Sequence, residues 1–403
     1  MLKKIFFIIL IIIVSGISGI TADHYLFPYL ASTDFFQEHQ WLKKSAENTT
    51  IINKTEQVYV KEDSSVAKLM SPVTSSIVNV ISYPNPDAKV KNKTASDLET
   101  QVKNGTGEIV TSDGLIMTYA AAINYDQVKD NSSSQSVNNA GSALAPTYKY
   151  KILTGDGNAY DATLQGVDSW SDLAFLKINA SNLPVVSFGN FSDYQAGEKV
   201  IAIGNNFPDY ENRFDSGILS SFDPTENISG QTLSVPEKLE GVFRTDFSAE
   251  NPPVGGPVVD YSGQIVGIIG SVESNGQTEY FEIPTDKVQS VLNKEIQKGF
   301  SANPILGIYY LPITKTLSLT DNLNVDHGAL IYSSLGQQGL AVISGSPAQK
   351  AGLELGDIIT QVDGNDVTLS DNLSTQLYQH KTGDQLKLTV WRAGKTIALD
   401  VQL

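Results

Sequence analysis

Apolar and polar positions divide the chain into four textures. The first is an uncharged apolar run, Ile5 to Ala22, behind Lys3 and Lys4. At about 1.5 Å per residue such a run just spans a ~30 Å hydrocarbon core, and its positive flank stays cytoplasmic. An uncleaved anchor over 1–22 is the expectation. The competing reading is a cleaved signal peptide, for which Ile20-Thr21-Ala22 is a poor cleavage site. The second texture, 23–70, is polar with scattered Phe35, Phe36, Trp41 and Leu42, and reads as a membrane-proximal stalk. The third, 71–299, holds short runs rich in Val and Ile: "SSIVNVIS", "GEIVTSDGLIMTYAAAI", "YKILTGDG", "LAFLKIN", "EKVIAIGN", "SGILSSF" and "QIVGIIGSV". Most are bounded by Gly, Asp or Asn, which predicts an all-β sandwich or barrel pair. Inside it, "DQVKDNSSSQSVNNAGSALAP" has no periodicity and reads as a surface loop insertion. "TDKVQSVLNKEIQKG" then predicts a helix with Thr285 or Asp286 as cap, Val288, Val291, Leu292 and Ile296 on one face, and Gly299 as stop. After the linker "SANP" comes the fourth texture, 304–403, about one small domain.

Composition narrows the function more than the fold. The 403 residues exceed one typical core and suit two or three domains. A formal net charge of −16 argues against nucleic acid as partner, because that binding needs a basic patch. There is no cysteine, so disulfides, thiolate chemistry and Cys-based zinc sites are excluded. No cofactor and no metal site is expected.

In order, these segments resemble an HtrA-like protein, DegP- or DegS-like: a membrane anchor, a trypsin-like peptidase and a C-terminal PDZ domain. "SDGLIMTYAAAI" stands where that family has a strand ending in Thr-Asn-Asn-His-Val-Val. "WSDLAFLKI" is similar to its catalytic-aspartate strand, and "TDFSAENPPVGGP" to its Thr-Asp-…-Gly-Asn-Ser-Gly-Gly-Pro segment. "ILGI" resembles a carboxylate-binding loop, and "ISGSPAQKAGLELGDIITQVDGNDV" resembles the PDZ signature. The resemblance implies a mainly β fold: a trypsin-like double six-stranded β-barrel followed by an α+β PDZ domain, with an N-terminal transmembrane helix.

Serine-protease catalysis needs a nucleophilic oxygen, an imidazole base, an orienting carboxylate and N–H donors for the oxyanion. By the resemblance, the triad positions are Ala121, Asp172 and Val254. Of the chain's four histidines, His24, His39, His327 and His380, none lies between 39 and 327, so the barrel region has no imidazole. One oxyanion donor of the family falls on Pro252, which has no N–H, and losing such a donor costs about 10²–10³ in rate. Pro253 restricts Pro252 to extended conformations, and Gly255 completes the loop. Asp172 is expected to bond backbone N–H groups and hold its loop. No Ser-Lys pairing motif and no His-x-x-x-His is present. The acidic Asp246 and Glu250 read as solvated loop carboxylates.

The C-terminal unit is expected to bind a peptide as an added strand, its terminal carboxylate in the nest Ile305-Leu306-Gly307-Ile308. "LSDNLSTQLYQHKTG" predicts a helix with Ser370 as N-cap and Leu373 and Leu377 on one face. By the resemblance that face lines the pocket for the last side chain, although helical spacing alone also fits core. The expectation is therefore a non-enzyme: a membrane-anchored, single-pass, extracytoplasmic pseudoprotease binding peptides or unfolded C-termini in protein quality control. Its partners would include the membrane and a homo-oligomer, a trimer by resemblance. Two alternatives stay open: an active serine-type endopeptidase with an unorthodox centre, and a non-catalytic subunit assembling with an active HtrA paralogue.

Overall fold

The computed structural model describes residues 2–22, 26, 70–85, 102–126, 147–205, 211–248, 252–274, 276–299, 302–336 and 340–403. The expected stalk, most of the Ser/Asn-rich insertion, Glu250, His24 and His39 lie outside the described residues. The N-terminal unit contains helix α1 (Leu2–Thr21), whose side chains are exposed from Phe6 onward. Among the described residues no helix is long and apolar enough to cross a membrane. The described residues thus do not support the transmembrane helix expected over 1–22.

Two closed six-stranded barrels form the centre of the chain. The first contains β1 (Ile77–Pro84), β2 (Lys103–Ile109), β3 (Leu115–Tyr119), β4 (Tyr148–Thr154), β5 (Ala159–Val167) and β6 (Leu173–Ile178), closing in the order β1-β2-β3-β6-β5-β4. The second contains β7 (Lys199–Gly204), β8 (Arg213–Asn227), β9 (Glu240–Thr245), β10 (Pro257–Val259), β11 (Ile265–Ser274) and β12 (Gln277–Pro284), closing as β10-β11-β12-β9-β8-β7. Period-two patterning explains the insides. In β4, Tyr150, Ile152 and Thr154 are buried while Lys151 is exposed. Val78, Val80, Ile109, Ile116, Ile152 and Leu176 fill the first barrel. Val200, Ala202, Leu219, Val258, Val266 and Ile269 fill the second. A larger cluster, with Met117, Tyr119, Phe175, Ile203, Ile268 and Phe281, joins them.

Helix α2 (Thr285–Lys298) packs Val288, Val291 and Leu292 into that joint cluster. Its N-cap is Pro284 without a side-chain bond, not Thr285 or Asp286, and Gly299 at φ 68 ends it as the sequence predicts. The expected apolar face stops one turn early. Glu295 turns inward and Ile296 outward, and burial pushes the Glu295 carboxyl up to about 8.

The C-terminal unit is a sheet of β13 (Tyr310–Pro312), β14 (Ala329–Ile331), β15 (Ile358–Val362), β17 (Gln385–Arg392) and β18 (Lys395–Gln402), ordered β13-β14-β15-β17-β18, with β16 (Asn365–Asp366) paired to β15. Three short helices cover it: α3 (Lys315–Thr320), α4 (Pro347–Ala351) and α5 (Leu373–Tyr378). α5 starts later than expected. Asn372, not Ser370, is its N-cap and accepts from the Thr375 N–H at 2.9 Å, while Ser370 Oγ lies 3.2 Å from Thr368 Oγ1.

Candidate functional site

The barrel positions singled out in the sequence come together at adjoining strand ends. β3 ends at Tyr119 and runs into one 3₁₀ turn, Ala120–Ala122. The Ala120 N–H donates to the Asp172 carbonyl at 2.8 Å, which puts exposed Ala121 beside the start of β6. Asp172 itself has φ 58, a left-handed conformation that Asp tolerates better than most residues. Its N–H donates to the Asp168 carbonyl at 2.9 Å. Gly255, at φ 83, seats the 252–256 loop against β3. A Cβ there would press on Thr118 and lie 2.6 Å from the Thr106 carbonyl.

The chemistry at this meeting point differs from a triad. Val254 packs its methyls on the joint core, and Ala121 offers no base. The Asp172 carboxylate does not bond backbone N–H groups as expected. It accepts from Lys238 Nζ at 2.6 Å, with both side chains about three-quarters covered. Burial raises the Asp172 pKa, and the Lys238 ammonium opposes that rise. An ammonium is a donor only, so it can anchor the carboxylate but cannot receive a proton. The loop's N–H groups are also already bonded to backbone carbonyls. Val254 donates to the Pro252 carbonyl, Gly255 to the Ile269 carbonyl and Gly256 to the Pro253 carbonyl, each at 2.8 Å. Among the described residues, no group of three or more His, Asp or Glu side chains converges as a metal site.

The second constellation lies where the barrels meet the C-terminal sheet. The Leu306 and Gly307 N–H groups both donate to Glu237 Oε1, at 2.9 and 2.8 Å. Gly307 has φ 79, and a Cβ there would strike Ser346, so only glycine gives this close backbone curl. Ile305 is partly buried, and Leu306 and Ile308 are core. Glu237 reaches them from a turn, Val235 to Lys238, closed by a Lys238 N–H to Val235 carbonyl bond of 3.2 Å with Pro236 at the position where a fixed φ helps. Just before the turn, Ser234 pairs antiparallel with Tyr310 on the edge of β13 through two bonds of 3.1 Å.

The facing wall is α5. Ser374 Oγ donates to the Lys238 carbonyl at 2.6 Å, and Asn372 Nδ2 to the Glu240 carbonyl at 3.0 Å. The Tyr310 hydroxyl donates to Glu240, whose carboxyl burial pushes up to about 8. Trp170 stacks on Tyr378 with centroids 4.1 Å apart and donates from Nε1 to Ser374 Oγ at 2.6 Å. Leu373 and Leu377 are 0% and 3% exposed and belong to the core of this unit. Glu237, Lys238, Glu240 and Trp170 were not anticipated. The only local signal was "VPEK", a turn signature with Pro second; which partners the turn meets is a long-range matter.

Comparison with known proteins agrees with this architecture. The trypsin-like peptidase domain family matches residues 105–268 and the PDZ domain family residues 306–403. "Serine protease Do-like HtrA" of Lactococcus lactis subsp. cremoris is 28% identical over 375 residues, 88% of this chain and 86% of that protein. "Probable periplasmic serine endoprotease DegP-like" of Chlamydia trachomatis is 30% identical over 301 residues, 74% of this chain but 53% of that protein. Among solved structures, "HtrA-type protease AlgW with tripeptide" superposes with a TM-score of 0.60 at 22% identity, covering 84% of this chain and 96% of that one. These relatives correct one expectation. They are named serine proteases across most of this chain, so the expectation of a non-enzyme conflicts with the proteolytic naming of the family, and nothing in the structure demonstrates inactivity.

Proposed function

Because the chain is an HtrA-like protein, with a trypsin-like peptidase domain and a PDZ domain, we propose that it works outside the cytoplasm within proteolytic protein quality control, recognising peptides or unfolded chains by their C-termini. The observation that carries this reading is the pair of adjacent N–H groups, Leu306 and Gly307, converging on one carboxylate oxygen. Such a nest, beside the edge of β13, fits a terminal carboxylate with the peptide laid on as a strand. Relatives named periplasmic endoproteases support the compartment. A proteolytic role for this chain requires a centre other than a hydroxyl at 254 or an imidazole at 121, since neither group is there.

The test is titration of the full chain with an apolar-ended peptide as free acid and as C-terminal amide. Charge-assisted hydrogen bonds contribute about 1.5–3 kcal/mol each. Amidation should therefore weaken binding at least roughly tenfold. Equal binding of the two forms would remove the carboxylate nest from the reading.

The compartment has its own test. We read residues 5–22, behind Lys3 and Lys4, as a tether to the cell membrane. Full-length chain should stay in the membrane pellet through alkaline carbonate extraction. A soluble chain beginning near Asp23 would point to a cleaved leader instead.

A further inference from the structure

The PDZ nest is already filled in this chain, and by the chain itself. Three features of a bound peptide are reproduced by residues 234–237. Ser234 makes an antiparallel bridge to the open edge of β13 at Tyr310. The chain then proceeds toward the nest, as an added strand would. The Glu237 carboxylate stands where a terminal carboxylate would, held by the Leu306 and Gly307 N–H groups at 2.9 and 2.8 Å. Pro236 between them is buried. At the other wall, Ser374 of α5 and its N-cap Asn372 hold the chain just beyond this segment, at the Lys238 and Glu240 carbonyls.

We propose that the segment Ser234–Glu237 is an internal ligand of the PDZ groove, and that an external peptide with a free C-terminal carboxylate binds by displacing Glu237. The inference rests on the peptide-binding reading above and adds what the incoming peptide must compete with. Two backbone N–H groups cannot serve two carboxylates at once, so occupancy by Glu237 reduces the intrinsic affinity to the fraction of molecules with an open nest. Burial raises the pKa of the Glu237 carboxyl, and the N–H bonds from Gly307 and Leu306 oppose that rise. The neighbouring residue extends the effect. Lys238, next in the chain, holds Asp172 at 2.6 Å, so displacing the turn also reaches the barrel centre.

The experiment compares full-length wild type, Glu237→Ala and Glu237→Gln, each titrated with the apolar-ended peptide as free acid and as amide. The free acid should bind Glu237→Ala at least roughly tenfold tighter than wild type. Glu237→Gln, which keeps the shape and loses the charge, should fall between them. The amide should bind all three weakly. Equal free-acid affinity across the three proteins overturns the internal ligand and leaves peptide binding standing. No free-acid binding to any of them overturns the peptide-binding reading, and this inference with it. Thermal melting monitors folding, and where Glu237→Ala has lost its fold the Glu237→Gln comparison decides.

Discussion

Pro252→Gly, added to Val254→Ser and Ala121→His, is expected to raise fluorophosphonate labelling at residue 254 by about 10²–10³ over the two-site variant. The two-site variant supplies an oxygen and an imidazole to a cleft whose loop cannot receive an oxyanion. Pro252 has no N–H, and the Val254 N–H is bonded to the Pro252 carbonyl at 2.8 Å. Glycine at 252 restores one donor and removes the ring that holds the loop in its present turn. The new imidazole must also take Asp172 from Lys238, whose 2.6 Å ion pair competes for it. Labelling is read by mass spectrometry of the 252–256 peptide. If the two-site variant labels as fast as the three-site one, the loop at 252–256 is not the obstacle to catalysis.

Trp170→Ala is expected to destabilise the chain by about 3–5 kcal/mol, the usual cost of deleting a large buried aromatic side chain. Trp170 is 2% exposed, stacks on Tyr378 at 4.1 Å and donates to Ser374. It therefore fastens the start of β6 to α5 across the junction between barrel and PDZ unit. Trp170→Phe keeps an aromatic ring but loses the Nε1 bond and part of the buried ring volume, so it should cost about 1–3 kcal/mol, less than the alanine change. Urea unfolding separates the two. A loss below 1 kcal/mol for the alanine variant would mean that the junction contributes little to stability.

Local patterning made the strands legible. The Val/Ile runs became β1, β7 and β11, each mostly buried, and Gly299 stopped α2 because a left-handed residue was needed there. Choices among near-equal local options were less legible. Ser370 and Asn372 can both cap α5, and the winner is the one whose amide also reaches the Glu240 carbonyl at 3.0 Å. The contents of the groove were not legible at all. Nothing within "SVPEKLE" says that its glutamate meets backbone N–H groups some seventy residues on, or that its lysine meets Asp172. Those contacts are fixed by how two barrels and a sheet close on one another, which no period of the sequence encodes. The same limit explains Asp172, whose partner proved to be an ammonium and not the backbone.

The four-residue turn Val235–Lys238 constrains how this loop can change over generations. Two successive side chains serve different ends: Glu237 enters the nest and Lys238 reaches Asp172. Exposed positions just upstream, Gln231 and Thr232, can exchange for other polar residues without moving either contact. An insertion or deletion inside the turn is another matter, because it would rotate both charged groups off their targets in one step. Variation here is thus confined to spelling at fixed length, and a chain that altered the length would have to rebuild the groove and the aspartate's partner together.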